Sequence, residues 1–349
     1  MQTYLIYGAN GYTGELIARA ARARGHAPIL AGRRESTVRP LAEELGLAYR
    51  AFSLADPSAV DAGLDGIPLL LNCAGPFSQT ARPLVDGCLR RHVHYLDVTG
   101  EVDVFEALAA RDQEARAASV MLLPGVGFDV VPTDCVAAHL HRRLPGATQL
   151  RLAIQLEMAL SRGTATTTVE GFGRPNLVRR GGVITPLPMG ELAREIDFGA
   201  GPVLTVAIPW GDVSTAYHST GIPDIEVYTA ANALVRMGMR LSNLIAPLLR
   251  SSQLQGFLKR QIQKNSAGPT LEERTSRRSR IWGEAIDDAG TRAITHLETP
   301  EAYNLTIETA LAAITLSLTH PPKLGFQTPS RAFGPDFILQ IPTVTRRDL

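Results

Sequence analysis

Tyr4-Leu5-Ile6-Tyr7-Gly8-Ala9-Asn10-Gly11-Tyr12-Thr13-Gly14 decides how the rest of the chain is read. An apolar, β-branched and aromatic run ends in three glycines spaced Gly-x-x-Gly-x-x-Gly, and a helix-compatible segment, Glu15 to Arg24, follows at once. Strand, tight turn and helix N-terminus in that order make a phosphate cradle. The glycines let the backbone turn and let a pyrophosphate come close, and N–H groups at the positive end of the helix dipole bind it. Gly8, Gly11 and Gly14 are the candidate pyrophosphate residues, with Asn10, Tyr12 and Thr13 in the same loop. The spacing departs from the commoner Gly-x-Gly-x-x-Gly, and an ordinary Gly-rich strand–helix turn looks the same in isolation.

Outward from this stretch the chain repeats the same unit. Short apolar runs predict strands at Thr3–Tyr7, Pro28–Gly32, Ala48–Ser53, Pro68–Ala74, His94–Val98 and Val120–Leu123. Helical patterns separate them at Gly14–Arg24, Val38–Leu45, Thr80–Arg91 and Val104–Ala118. Repeated βα units give an α/β fold with a doubly wound parallel sheet, whose ligands lie outside the carboxyl ends of the strands. The second strand ends in Ala31-Gly32-Arg33-Arg34, with no acid before Glu35. An acid there would suit the ribose 2′-hydroxyl of NAD. A guanidinium pairs instead with a 2′-phosphate, so Arg33 and Arg34 point to NADP, unless they are simply a solvated pair.

Three further strand ends are polar and rich in glycine. The fourth runs Asn72-Cys73-Ala74-Gly75-Pro76-Phe77, where small residues would let a dinucleotide pass close to the backbone. The fifth ends in Asp97-Val98-Thr99-Gly100-Glu101, and the sixth in Pro124-Gly125-Val126-Gly127-Phe128-Asp129 before Val130 to Asp134. One such end is loop chemistry; three on one edge make a site.

Beyond Pro145-Gly146 the pattern changes. Gln149–Glu157, Arg194–Gly199, Val203–Pro209 and Ile225–Ala230 read as strands. A Ser/Thr-rich run from Ser161 opens an expected helix to Arg180. Ile281–Asp287 and Thr291–Thr299 flank Asp288-Ala289-Gly290, a hairpin signal, and a helix follows at Glu301–Thr319. The region mixes antiparallel strands with helices and is an α+β domain. Asn232–Gln263 is a long helical stretch interrupted near Pro247, with apolar residues at helical spacing and arginines beside them. It reads as a core or dimer-packing helix, the other reading being contact with a membrane surface. Ser266–Arg280 reads as a linker with a basic cluster, and Gly325–Gly334 as a loop packing against the first domain beside the cofactor.

Bulk composition narrows the function. At 349 residues the chain exceeds one average domain, and its formal net charge of +1 gives no field to attract nucleic acid. Cys73, Cys88 and Cys135 are an odd set without paired spacing, which argues against disulfides and a zinc site and for a reducing, cytoplasmic setting. No signal peptide, transmembrane run or metal-site cluster is expected. No Lys precedes Lys259, so the Tyr-x-x-x-Lys pair of short-chain dehydrogenases is missing. Cys73 and Cys135 sit in poor contexts for the nucleophile of a phosphorylating semialdehyde reductase.

Taken together, Gly8–Gly14, Ala31-Gly32-Arg33, Asn72–Phe77, Tyr95–Glu101, Gly127–Asp134, Ser161–Thr164, Pro300–Thr306 and Gly325–Gly334 resemble the saccharopine dehydrogenase-like oxidoreductases, the single-chain group that includes bacterial trans-acting enoyl reductases. The resemblance implies a variant Rossmann domain, a domain with a mixed sheet, and a C-terminal segment that returns to the first. Carried onto this sequence, that gives an NADP-binding domain at 1–140, a substrate and dimerisation domain at 141–320 and the returning segment at 321–349. It implies Gly8, Gly11 and Gly14 for the pyrophosphate, Arg33 for the 2′-phosphate, and Asn72, Cys73, Ala74, Gly75 and Pro76 for the nicotinamide side. The expected protein is a homodimeric NADPH-dependent reductase of an activated C=C or C=O, acting on a small molecule or a carrier-bound acyl chain. Asp129, Thr164 and Thr167 are candidate catalytic groups, although residues of these types at such turns are more often helix caps. Two other readings stay open. One is a saccharopine-type C=N oxidoreductase using Arg162 and Arg174; the other is a non-catalytic NADP-binding protein that meets lipid through 232–263.

Overall fold

The computed structural model describes residues 3–156, 173–249 and 271–349, together with 251, 253, 254 and 256. Two compact units divide the chain. The first holds Met1–Val131 and Leu305–Gly334, the second Pro132–Asn304 and Pro335–Leu349. The units therefore interleave along the chain and are drawn differently from the three consecutive blocks read above.

The first unit is built on seven strands: β1 (Leu5–Tyr7), β2 (Ile29–Gly32), β3 (Tyr49–Ala51), β4 (Leu69–Asn72), β5 (His94–Asp97), β6 (Met121–Leu123) and, near the C-terminus, β15 (Gly325–Phe326). Their order is β15-β6-β5-β4-β1-β2-β3, and every pairing is parallel. The central strands read Leu-Ile-Tyr and Leu-Leu-Leu-Asn and are buried along their whole length. A parallel sheet covered on both faces demands such continuous apolar runs. Fully burying each of Leu5, Ile6, Leu69 and Leu70 contributes roughly 1.5–3 kcal/mol.

Helices α1 (Tyr12–Ala23), α2 (Glu35–Leu45), α3 (Pro57–Gly63), α4 (Phe77–Arg91), α5 (Val102–Ala109) and α6 (Asp112–Ala117) connect the strands. The α3 helix was not expected. Its signal is local: Asp56 accepts from the Ser58 N–H at 2.9 Å, and Pro57 occupies the first helical turn. A single expected helix over 104–118 is two, α5 and α6.

The tail also corrects the sequence reading. Gly325–Gly334 was expected to be a loop, but Gly325 and Phe326 add to the edge of β6, and Pro329–Phe333 forms a helix capped by the Thr328 side chain. The Phe326 N–H donates to Asp112 at 2.8 Å, and the Phe326 ring joins the core of this unit. Order here comes from partners more than 200 positions away in sequence.

The second unit carries a nine-stranded mixed sheet, β10-β11-β12-β7-β13-β14-β16, with β8 and β9 attached through β12. These strands are β7 (Ala147–Leu156), β8 (Asn176–Arg180), β9 (Val183–Leu187), β10 (Ala193–Asp197), β11 (Pro202–Ala207), β12 (Asp224–Ala230), β13 (Arg278–Asp287), β14 (Arg292–Pro300) and β16 (Thr345–Asp348). Only the β12–β7 pairing is parallel. The β13–β14 hairpin forms about Asp288-Ala289-Gly290 as its sequence predicts. Gly283 is the one residue of β13 that lets helix Val131–Arg143 come close: a Cβ there would lie 2.5 Å from Val136 and 2.8 Å from Leu140.

Two expectations fail in this unit. Residues 176–180, expected at the end of a helix, are strand β8, and the rest of that expected helix, 157–172, lies outside the described residues. The basic cluster near 274–280 is no linker. Arg274 donates to Asn304 at 3.0 Å, Arg278 to Thr343 at 3.0 Å, and β13 begins at Arg278.

Candidate functional site

The glycine stretch sits at the carboxyl ends of β1 and β2. Gly8 has φ +81°, and a Cβ there would lie 2.7 Å from the backbone nitrogen of Ala74. Only glycine meets both demands. The Gly8 N–H donates to the Ala31 carbonyl at 2.8 Å, and Gly11 closes the turn by donating to the Gly8 carbonyl at 3.0 Å. Gly14, one turn into α1, is buried, and a Cβ there would reach the Ala9 Cα at 3.0 Å. Gly11 is the N-cap of α1 and offers no side-chain acceptor to the N–H groups of the first turn. It is half-buried, and a Cβ would meet only the Gly8 carbonyl oxygen, at 3.3 Å. Gly8 and Gly14 thus serve packing, whereas Gly11 leaves the helix end open to an anion.

A second helix N-terminus lies nearby and is closed. At α4, the Glu101 carboxylate accepts from the N–H groups of Phe77 at 2.8 Å and Ser78 at 2.9 Å. A carboxylate already satisfies the donors and the dipole there. Of these two helix starts, α1 alone is left for a phosphate.

At the end of β2, Gly32 has room for no side chain, because a Cβ would meet Val38 at 2.7 Å and the Asn10 Oδ1 at 3.0 Å. Arg33 and Arg34 follow, both exposed, and neither makes an ion pair among the described residues. Glu35, the first acid after the strand, is engaged elsewhere: it accepts from the Tyr49 hydroxyl at 2.9 Å and from Arg39 at 3.4 Å. The strand end therefore presents guanidinium groups and no available carboxylate, which suits a phosphorylated ribose.

The ends of β4, β5 and β6 are joined by a buried polar chain. The Asn72 amide donates to the Thr80 and Tyr95 hydroxyls, both at 3.1 Å, and accepts from the Ala74 N–H at 2.9 Å. The Tyr95 hydroxyl donates to Asp97 at 2.8 Å. The other Asp97 oxygen accepts from the Thr99 N–H at 3.0 Å and the Gly125 N–H at 2.9 Å. Burial pushes the Asp97 carboxyl up to about 6, against the pull of these donors. The chain fixes the loops after three strands in one arrangement. Cys73, beside it, is no nucleophile: burial and the Asp97 charge push its thiol up, away from the thiolate form.

Asp129 stands where the β6 loop turns into helix Val131–Arg143. Its carboxyl is half-buried and packs against Gly100, where a Cβ would lie 2.8 Å from Oδ2. Burial raises it to about 6, as it does Asp97. The two differ in company. Asp97 accepts three hydrogen bonds, whereas Asp129 accepts none among the described residues. A desolvated carboxyl without a structural partner, at a sheet's ligand-binding edge, is a candidate functional group. The loop that carries it is pinned by helix Ala302–Thr319: Phe128 N–H donates to the Thr306 hydroxyl at 3.0 Å, and the Thr309 hydroxyl donates to the Val126 carbonyl at 2.8 Å. Sequence reading missed Glu101, Tyr95, Thr306 and Thr309 as supports of the site. Thr164 and Thr167, the other candidate catalytic groups, and Arg162 lie outside the described residues.

Residues 4–123 match the family model described as the saccharopine dehydrogenase NADP binding domain. That stretch of the first unit is therefore similar to the NADP-binding domain of saccharopine dehydrogenases. A trans-acting enoyl reductase of Mycobacterium leprae is 30% identical over 148 residues, which are 40% of this chain and 35% of that protein. A saccharopine dehydrogenase-like oxidoreductase of Mus musculus is 23% identical over 202 residues, 50% of this chain and 47% of that one. The chain thus spans less than half the length of either relative. Among solved structures, apo saccharopine dehydrogenase (L-Glu forming) from Saccharomyces cerevisiae superposes with a TM-score of 0.64 over 100% of both chains at 11% identity. That likeness shows the fold: a variant Rossmann sheet with a second, mixed sheet, as the saccharopine dehydrogenase-like resemblance implied.

Proposed function

We propose that the protein is an NADPH-dependent oxidoreductase that reduces an activated C=C or C=O of an acyl-type substrate. One observation carries the cofactor half of this reading: the open N-terminus of α1 and two exposed arginines, whose neighbouring acid is engaged elsewhere, follow the carboxyl ends of the adjacent strands β1 and β2. Gly8, Gly11 and Gly14, with Asn10, Tyr12 and Thr13, would hold the pyrophosphate. Arg33 and Arg34 would pair with the 2′-phosphate, and Asn72 to Pro76 would border the nicotinamide. NADPH supplies a hydride when bound, so the protein has to orient the substrate and provide a proton. Asp129 would hold that proton, with Thr164 and Thr167 as further candidate pocket groups.

Against reduction of a C=N bond stand three arginines of the second unit, other than the Arg162 and Arg174 named for that reading. Arg151 and Arg292 both pair with Glu284, which is fully buried, and Arg194 lies 3.7 Å from the same carboxylate. Arginines neutralised in this way do not offer themselves to the carboxylates of an amino-acid substrate. The likeness to trans-acting enoyl reductases supports the same side.

Arg33→Ala combined with Arg34→Ala is expected to weaken NADPH binding by about 10–100-fold and to leave NADH binding within about threefold. Fluorescence titration with both cofactors measures this, and equal losses for the two would refute the assignment. For the reaction, NADPH oxidation should be followed with enoyl-thioester, ketone and imine substrates in parallel. Turnover of the imine alone would replace the acyl reading.

A further inference from the structure

The segment Ala233–Leu249 is attached to its own unit by the wrong side. In helix Ala233–Ser242, Arg236 donates to the Gly190 carbonyl at 3.2 Å. Just beyond it, Asn243 exchanges hydrogen bonds with the Met189 backbone, both at 3.0 Å. Gly190 lies directly beneath this polar face, since a Cβ there would be 2.8 Å from Arg240 and 2.9 Å from the Arg236 carbonyl. No residue of the helix is buried. Its apolar stripe faces away, with Leu234 72%, Leu241 55%, Leu244 79% and Leu248 62% exposed. Seven of the eleven exposed large apolar side chains among the described residues lie between 234 and 248. The stripe therefore does not pack in the core of its own unit, which was one half of the expectation, dimer packing being the other. Soluble proteins rarely leave such a contiguous patch uncovered.

Charge indicates what covers it. From Val227 to Leu271 the sequence contains no Asp or Glu, yet it carries Arg236, Arg240, Arg250, Lys259, Arg260 and Lys264. Two of the chain's three lysines are here, although the whole chain is near neutral. An apolar stripe within an acid-free, basic stretch is complementary to an anionic bilayer, where leucines enter the acyl boundary and the net positive charge of the stretch favours anionic headgroups. No helix among the described residues is long and apolar enough to cross a membrane, so the segment would lie in the interface plane.

We infer that residues 233–249, helix Ala233–Ser242 with the short helix Ala246–Leu249 beyond its turn, form an interfacial membrane-binding segment, which anchors the protein to anionic bilayers by its outward apolar face. The inference does not depend on the reaction proposed above. The test is co-sedimentation of the full chain with vesicles of phosphatidylcholine alone or mixed with phosphatidylglycerol. Binding is expected to the mixed vesicles and to weaken with salt. Leu241→Glu with Leu244→Glu, both at exposed positions, is expected to lower the partition coefficient by about tenfold or more. Circular dichroism and thermal melting of the same variant report that the fold is intact and should be unchanged. Wild-type protein that stays in the supernatant overturns the proposal, as does a variant that binds as well as wild type. Sedimentation velocity decides the remaining alternative: if the double variant splits a dimer while vesicle binding is unaltered, the face belongs to a second copy and the proposal fails.

Discussion

Gly8→Ala is expected to lose NADPH binding and to destabilise the first unit by roughly 2–4 kcal/mol, from left-handed backbone strain and overpacking together. The strain follows from φ +81° at Gly8, and the overpacking from a Cβ 2.7 Å from the Ala74 nitrogen. Gly11→Ala should behave differently. Its backbone, φ −83° and ψ 162°, is open to any residue, and its Cβ would meet only the Gly8 carbonyl oxygen, at 3.3 Å. Stability should fall by no more than about 1 kcal/mol, the cost of a tight Cβ contact and a poorer N-cap residue on an unstrained backbone. Affinity for NADPH should still fall by about 100-fold, since the added methyl lies where the pyrophosphate must approach the helix end. Thermal melting paired with fluorescence titration separates the two variants. If Gly11→Ala binds NADPH like wild type, the phosphate is not held at the α1 N-terminus.

That contrast also shows which parts of the site a sequence can carry. Six of the seven strands of the first sheet were legible because a parallel sheet covered on both faces requires short, continuous apolar runs such as Leu69–Leu71. The cradle was legible because turn, close approach and helix start place glycines at fixed short spacing. The supports were not. Glu101 closes the start of α4 from 24 residues away, and Thr306 holds the Phe128 N–H across 178. A threonine in an apolar helix carries no local mark that its hydroxyl holds another loop. The tail failed for the same reason: Gly325-Phe326 is ordered by the free edge of β6, not by its own propensity. The stripe at 234–248 marks a different limit. Helical spacing of leucines was correct, but periodicity says only that a helix has an apolar face, not that the face points inward.

Asp129→Asn is expected to cut the rate of reduction by about 100-fold at saturating substrate while leaving the NADPH dissociation constant unchanged. The pH profile is the sharper readout. Burial holds this carboxyl at about 6, so a proton donor at this position is lost as pH rises through that value, and the single-turnover rate should fall above it. The variant should show no such fall. Stability must move the other way. The unfolded chain releases this proton near the ordinary 3.8, the folded one near 6. Between those values the folded state holds more protons, so stability declines as pH rises and the loss is complete above the folded value. Removing the charge should therefore stabilise the protein by ~1–3 kcal/mol at neutral pH, and by nothing below 3.8, where both states are protonated. Asp97 supplies the control. It is raised to the same value, but it accepts from Tyr95, Thr99 and Gly125, so Asp97→Asn should lose stability at every pH. Denaturant melts of both variants across pH distinguish a carboxyl kept for structure from one kept for chemistry. If Asp129→Asn destabilises like Asp97→Asn, Asp129 is part of the scaffold and the proton must come from elsewhere.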